Sequence, residues 1–107
     1  MVVGKHRNTK VIVDLGAIKE NVAQEKRQLE ANQKLFAVVK ANAYGHGLVE
    51  VAQAASQAGA DGFCVAVIDE GVALRQAGFE QEPILILGVN PASEATYMAS
   101  YNLAVAV

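Results

Sequence analysis

The chain has no tryptophan, one cysteine, two prolines and few aromatics among its 107 residues. Each scarcity excludes something. A single cysteine, Cys64, rules out an internal disulfide. It lies in the apolar run Phe63-Cys64-Val65-Ala66-Val67-Ile68, so it reads as a small core residue rather than a reactive thiol. Two histidines and that cysteine, far apart, give no metal-ligand spacing. No apolar stretch approaches the ~20 residues of a membrane span. No basic block exists and the net charge is −2, so nucleic acid is not an expected partner. The opening Met1-Val2-Val3-Gly4-Lys5-His6-Arg7 lacks the apolar segment of a signal peptide, and a cytoplasmic location is expected. Neither a serine- or glycine-rich tract nor a proline cluster marks a linker.

What is abundant is apolar: 52% of residues are hydrophobic. Four short, nearly continuous runs cover residues 35–40, 62–68, 84–88 and 103–107. Continuous rather than alternating runs fit strands covered on both faces, as in a parallel sheet. Helical patterns lie between them. Leu48, Val51, Ala52, Ala55 and Ala58 share a helical face, stopped by Gly59. Asp69 reads as the N-cap of a segment that ends at Gly78. Beyond Pro91, Ser93 reads as the cap of a helix reaching Tyr101. An earlier unit joins a strand, Val11-Ile12-Val13, to a helix from Asp14 to about Ala31. Strand and helix thus alternate with short connections, which predicts right-handed crossovers and a parallel α/β sheet, open or barrel-shaped. A complete (β/α)8 barrel needs about 250 residues, so the expectation is the first part of something larger.

The residue that asks for chemistry is Lys40. It ends the buried run Leu35-Phe36-Ala37-Val38-Val39, where an ammonium is ordinarily excluded. A partly desolvated amine is a usable nucleophile at neutral pH and suits a Schiff base with a carbonyl cofactor. In both open sheets and barrels, chemistry gathers at the carboxyl ends of strands. Lys40, Asn42, Tyr44, Asp69, Glu70 and Asn90 would therefore share one rim. Gly45 and Gly47 permit a close approach, and the helix beyond them offers free N–H groups to an anion. A phenol at Tyr44 would donate to that anion. An amine beside an anion site suits pyridoxal 5′-phosphate, which carries an aldehyde and a phosphate. The plainer readings are a lysine whose stem covers apolar surface, a loop tyrosine, a loop histidine at His46, and Asp69 and Glu70 as helix-end carboxylates.

Taken together, Ala37-Val38-Val39-Lys40-Ala41-Asn42-Ala43-Tyr44-Gly45-His46-Gly47 closely resembles the cofactor-lysine segment of alanine racemases. Val13-Asp14-Leu15-Gly16-Ala17-Ile18 with Asn21-Val22, Asp69-Glu70 with Ala73-Leu74-Arg75, and Pro83-Ile84-Leu85-Ile86-Leu87-Gly88 are similar to further landmarks of that family. The likeness runs from about His6 to the end.

The resemblance implies a fold-type III pyridoxal-phosphate enzyme, cytoplasmic and homodimeric, that interconverts L- and D-alanine. Residues 1–107 would be the incomplete N-terminal part of a TIM-type (β/α)8 barrel, with a C-terminal β domain absent. Lys40 is similar to the lysine that holds the cofactor as an internal aldimine and acts as base for D-alanine. Tyr44 looks like the tyrosine that reaches the phosphate. Leu87 corresponds to an apolar residue against the pyridine ring, and Val38 belongs to the same surroundings. No metal is implied. The second proton donor, a partner-subunit tyrosine, lies beyond Val107, and the isolated 107 residues are expected to be inactive. Two other readings stand beside this one. One is a related cofactor-carrying homeostasis protein or decarboxylase; the other is a non-enzymatic α/β module with Asp69 or Asn90 at a switch-point crevice.

Overall fold

The computed structural model describes residues 11–106. His6 and the rest of the first ten residues lie outside it, as does Val107, the last residue of the fourth run. The elements, in order, are α1 (Leu15–Arg27), β1 (Phe36–Val38), a single turn α2 (Lys40–Tyr44), α3 (Leu48–Gln57), β2 (Gly62–Val65), α4 (Ile68–Gln76), β3 (Ile84–Ile86), a 3-10 turn (Ala92–Glu94), α5 (Ala95–Ser100) and β4 (Ala104–Val105).

All four strands are parallel and neighbours in the order β1-β2-β3-β4. A doubly wound sheet reverses its strand order at a switch point. This sheet does not, so it winds as the wall of a (β/α) barrel, and the open-sheet alternative falls. The register sorts the side chains into two faces. Ala37, Phe63 and Ile84 align, as do Val65, Ile86 and Val105. These six pack with Ala52 and Ala55 of α3 and Ile68 and Leu74 of α4 in one core. Phe63, Val65, Leu74, Ile84 and Ile86 are fully enclosed, each contributing about 1.5–3 kcal/mol of burial. Phe63 also meets Phe79 edge to face, with ring centroids 5.2 Å apart.

The opposite face carries Val38, Cys64, Leu85 and Ala104 in one row. No helix covers it. Val38 remains 42% exposed, and Leu87, just past β3, 41%. An apolar face bare of helices is what the inner wall of a barrel presents to its remaining strands. Cys64 is buried on this face and its thiol pKa is raised by that burial, so it is the inert core residue expected.

At the amino ends of the strands, the Asp61 carboxylate ties the layers together. Its Oδ2 accepts from Lys26 Nζ of α1 and, at 2.8 Å, from the Leu35 N–H. The Lys26 hydrogen bond and then the Leu35 N–H hold the Asp61 carboxyl below the ordinary aspartate range. A lowered folded-state pKa gives stability that is present above the unfolded value and lost as pH falls through the folded one. We expect Asp61→Asn to be less stable than the parent at pH 7, with the difference vanishing on acidification below about pH 4. Thermal unfolding across pH 2–7 checks this; a gap that stays constant to the acid end contradicts it.

Several local expectations need correction. Val11-Ile12-Val13 forms no strand with the described residues, and Val11 and Ile12 are 82% and 77% exposed, so the sheet starts at β1; the family resemblance pairs this opening segment with the C-terminal domain rather than with the barrel. β-branched residues favour strands only where a neighbour supplies pairing. The first helix does begin at Asp14, whose Oδ1 accepts the Ala17 N–H at 3.0 Å, but it stops at Arg27 rather than near Ala31. Asp69 is not the N-cap of α4; Val67 holds that position and Asp69 lies inside the first turn. Ser93 makes no capping hydrogen bond and sits in the 3-10 turn before α5.

Candidate functional site

Lys40 stands where β1 ends, half-buried, at the carboxyl-end rim. Val39 extends the ladder by one bond, donating to Cys64 O at 2.9 Å. Then the chain turns the wrong way. Ala41, Asn42, Ala43 and Tyr44 all have φ between 52° and 57°, and ψ at Ala41, Asn42 and Ala43 is 43–50°. The segment α2 is a left-handed turn made of four consecutive non-glycine residues. Each such residue costs about 1–2 kcal/mol, so the turn stores roughly 4–8 kcal/mol. Strain of this kind persists only where the surroundings over-determine it, and it clusters at functional sites.

The surroundings can be named. Ala43 is buried and donates to Val39 O at 2.8 Å. His46 closes on Ala43 O with both its N–H and its Nδ1, each at 3.0 Å, so His46 is a structural loop residue. Gly45 and Gly47, at φ 89° and 101°, carry the chain out of the turn where no Cβ is tolerated cheaply. Asn42 Oδ1 accepts the Leu48 N–H at 2.8 Å and so caps α3. The Asn42 N–H donates to Glu70 Oε2 at 3.2 Å. Glu70 Oε1 in turn accepts from Ala66 and Val67 at 2.9 and 3.3 Å. The same rim is drawn tight at Gly88, whose N–H meets Ala66 O at 3.1 Å and where a Cβ would come within 2.4 Å of that oxygen.

These facts revise the anion reading. The first N–H of α3 is spent on Asn42, and the Glu50 carboxylate folds over Gly47, 2.6 Å from where a Cβ would stand. The helix start alone is therefore not a free phosphate cradle. Tyr44, by contrast, is 60% exposed at the end of the left-handed turn. Neither its hydroxyl nor the Lys40 amine has a hydrogen-bond or ion-pair partner among the described residues. Val38 and Leu87 are the exposed apolar positions at the ends of β1 and β3. Lys40 and Tyr44 follow β1 at the carboxyl-end rim, and Val38 and Leu87 lie at the exposed ends of β1 and β3. Asn90 turns back on Gly88 O at 3.0 Å, and the described residues hold no cluster fit for a metal ion.

The helix-covered parallel wall and the free amine at the end of its first strand define part of a (β/α) barrel with a lysine on its catalytic-end rim. Comparison with known proteins then supplies the family. The family model of the alanine racemase N-terminal domain matches residues 13–107, and the chain belongs to that family. Over all 107 residues it is 64% identical to the alanine racemase of Ligilactobacillus salivarius, covering 29% of that protein, and 53% identical to that of Lactiplantibacillus plantarum, covering 28%. The alanine racemase of E. faecalis superposes on the whole chain with a TM-score of 0.93 and 52% identity, again over 29% of its length. The Bacillus anthracis alanine racemase with bound L-Ala-P covers 89% of this chain at a TM-score of 0.84 and 44% identity, and 24% of its own length is matched. The chain therefore spans less than a third of the relatives it resembles, and it corresponds to the first part of their barrel.

Proposed function

We propose that this chain is the N-terminal part of a pyridoxal-phosphate-dependent alanine racemase, in which Lys40 binds the cofactor covalently. The observation that carries this reading is the unpartnered Lys40 amine at the head of a strained left-handed turn. Strain maintained by this many specific hydrogen bonds is hard to explain by folding alone. The residues present fit the group: a free amine for the aldehyde, an unpaired phenol for the phosphate, and apolar side chains for the ring.

Bound pyridoxal phosphate supplies an electron sink that acidifies the Cα–H of an amino acid. The chain's own residues supply the attachment and one of the two proton-transfer faces. Lys40 Nζ would hold the cofactor and would take or return the Cα proton on one face of alanine. Tyr44 would donate a hydrogen bond from its phenol O–H to the phosphate. Leu87 and Val38 would offer the apolar surface for the cofactor ring and exclude water there. Inversion needs a donor on the opposite face, which comes from outside the described residues. We assign it to the partner subunit of a cytoplasmic homodimer whose polypeptide continues into the rest of the barrel and a C-terminal β domain, and which makes D-alanine.

The full-length polypeptide, given pyridoxal phosphate and L-alanine, is expected to form D-alanine to an equimolar mixture, read by chiral chromatography. The 107 residues alone are expected to form none. A loaded full-length protein that leaves L-alanine unchanged overturns the reading, and turnover by the 107 residues overturns the need for a second donor.

A further inference from the structure

We infer that Glu70 is a positioning residue for the Lys40–Tyr44 turn. The inference rests on the assignment of Lys40 as the cofactor lysine, and it concerns a residue that touches neither cofactor nor substrate. As a helix-end carboxylate, Glu70 would need only the bond to Val67 near the start of its own helix α4. It does more. Its two oxygens divide between two loops: Oε1 takes the Ala66 and Val67 N–H groups after β2, and Oε2 takes the Asn42 N–H after β1. Asn42 lies second in the run of four left-handed residues, between Lys40 and Tyr44. Its N–H is the one link, among the hydrogen bonds of the described residues, from that turn to α4.

The chemistry of the acceptor matters. Three N–H donors converge on one group, so that group must offer acceptors on both sides and donate nothing. An ionised carboxylate does this; an amide does not, because its NH2 would face either Asn42 or the Ala66–Val67 pair. Aspartate is one methylene shorter and cannot span both loops from the same backbone position. Glu70 therefore fixes where the left-handed turn sits relative to β2. The turn in turn fixes the Lys40 amine and the Tyr44 phenol relative to the uncovered face.

The test uses the full-length protein loaded with pyridoxal phosphate, with Glu70→Gln and Glu70→Asp compared with Asp61→Asn. The last loses a structural ion pair at the opposite ends of the strands and controls for general destabilisation. We expect both Glu70 variants to hold pyridoxal phosphate on the order of tenfold more weakly, as when a supporting partner of a site residue is lost. The visible band of the lysine-bound cofactor should change in wavelength or in its pH profile, while Asp61→Asn leaves both alone. A Glu70→Gln protein that merely melts lower, with unchanged band and affinity, overturns the inference and leaves the Lys40 assignment standing. A wild-type protein without the band, or a Lys40→Ala protein that keeps it, removes the assignment itself and this inference with it.

Discussion

Lys40→Ala, in the full-length polypeptide, is expected to lose the visible band of covalently held pyridoxal phosphate and to lower racemisation by roughly 10³-fold or more. The size follows from what one amine does. On the proposed reading it would anchor the cofactor and serve as the proton acceptor on one face, and positioned proton transfer alone is worth ~10²–10⁴-fold. Lys40→Arg keeps a positive charge at the same place but offers no amine that can attack a carbonyl, so it should fail as completely. Stability separates a site residue from a structural one. The Lys40 amine has no partner among the described residues, so the melting point of the cofactor-free protein should change little, within about 0.5 kcal/mol. A Lys40→Ala protein that still shows the band, or that unfolds instead of merely falling silent, contradicts this account.

The largest effect on folding belongs to Arg75. Its guanidinium donates to four backbone carbonyls: Nε to Tyr101 O at 2.9 Å, one terminal nitrogen to Phe79 O and Glu82 O at 2.7 Å each, and the other to Asn102 O at 2.9 Å. The loop entering β3 and the turn entering β4 are thus closed by one side chain of α4. A hydrogen bond to a charged donor contributes about 1.5–3 kcal/mol net, and a shared donor does not contribute additively. We expect Arg75→Ala to destabilise by about 3–5 kcal/mol. Arg75→Lys should recover less than half, since an ammonium lacks the planar fork that reaches four directions at once. Denaturant unfolding measures both; a loss under 1 kcal/mol for the alanine variant would show that water replaces the guanidinium without cost.

The sequence analysis found the strands because their residues are apolar on both faces, and continuous runs of that kind survive as a signal at any register. β1 to β4 fall inside the four runs, and single hydrogen bonds from Val39 and Leu87 carry the pairing one residue beyond β1 and β3 at the rim. The start of the first helix at Asp14 was legible because a lone carboxylate precedes an amphipathic stretch there; its capping bond to Ala17 came from the structure. Val11-Ile12-Val13 has strand composition but no partner among the described residues; composition does not say which segment supplies the pairing. Asp69 was misread because adjacent acids leave the cap position ambiguous by a residue or two.

At the site, the sequence put Lys40 and Tyr44 after one strand, at its carboxyl end, and the family resemblance added Val38 and Leu87, but neither showed the backbone that arranges Lys40 and Tyr44. Among Ala41, Asn42, Ala43 and Tyr44, only asparagine has any liking for positive φ, so nothing local announces a left-handed turn. Tertiary hydrogen bonds impose it. The part played by Glu70 was hidden for the same reason: the residue that holds Asn42 lies 28 positions away. Arg75 appeared only as a landmark of resemblance, since an arginine in the last turn of a helix ordinarily does no more than complement the dipole.

The most direct measurement is borohydride reduction of the full-length protein loaded with pyridoxal phosphate, followed by proteolysis and mass spectrometry of the peptides. The account predicts one reduced pyridoxyl group per chain, carried on Lys40. A pyridoxyl group found instead on Lys19, Lys26 or Lys34, or no covalent group at all, would contradict it.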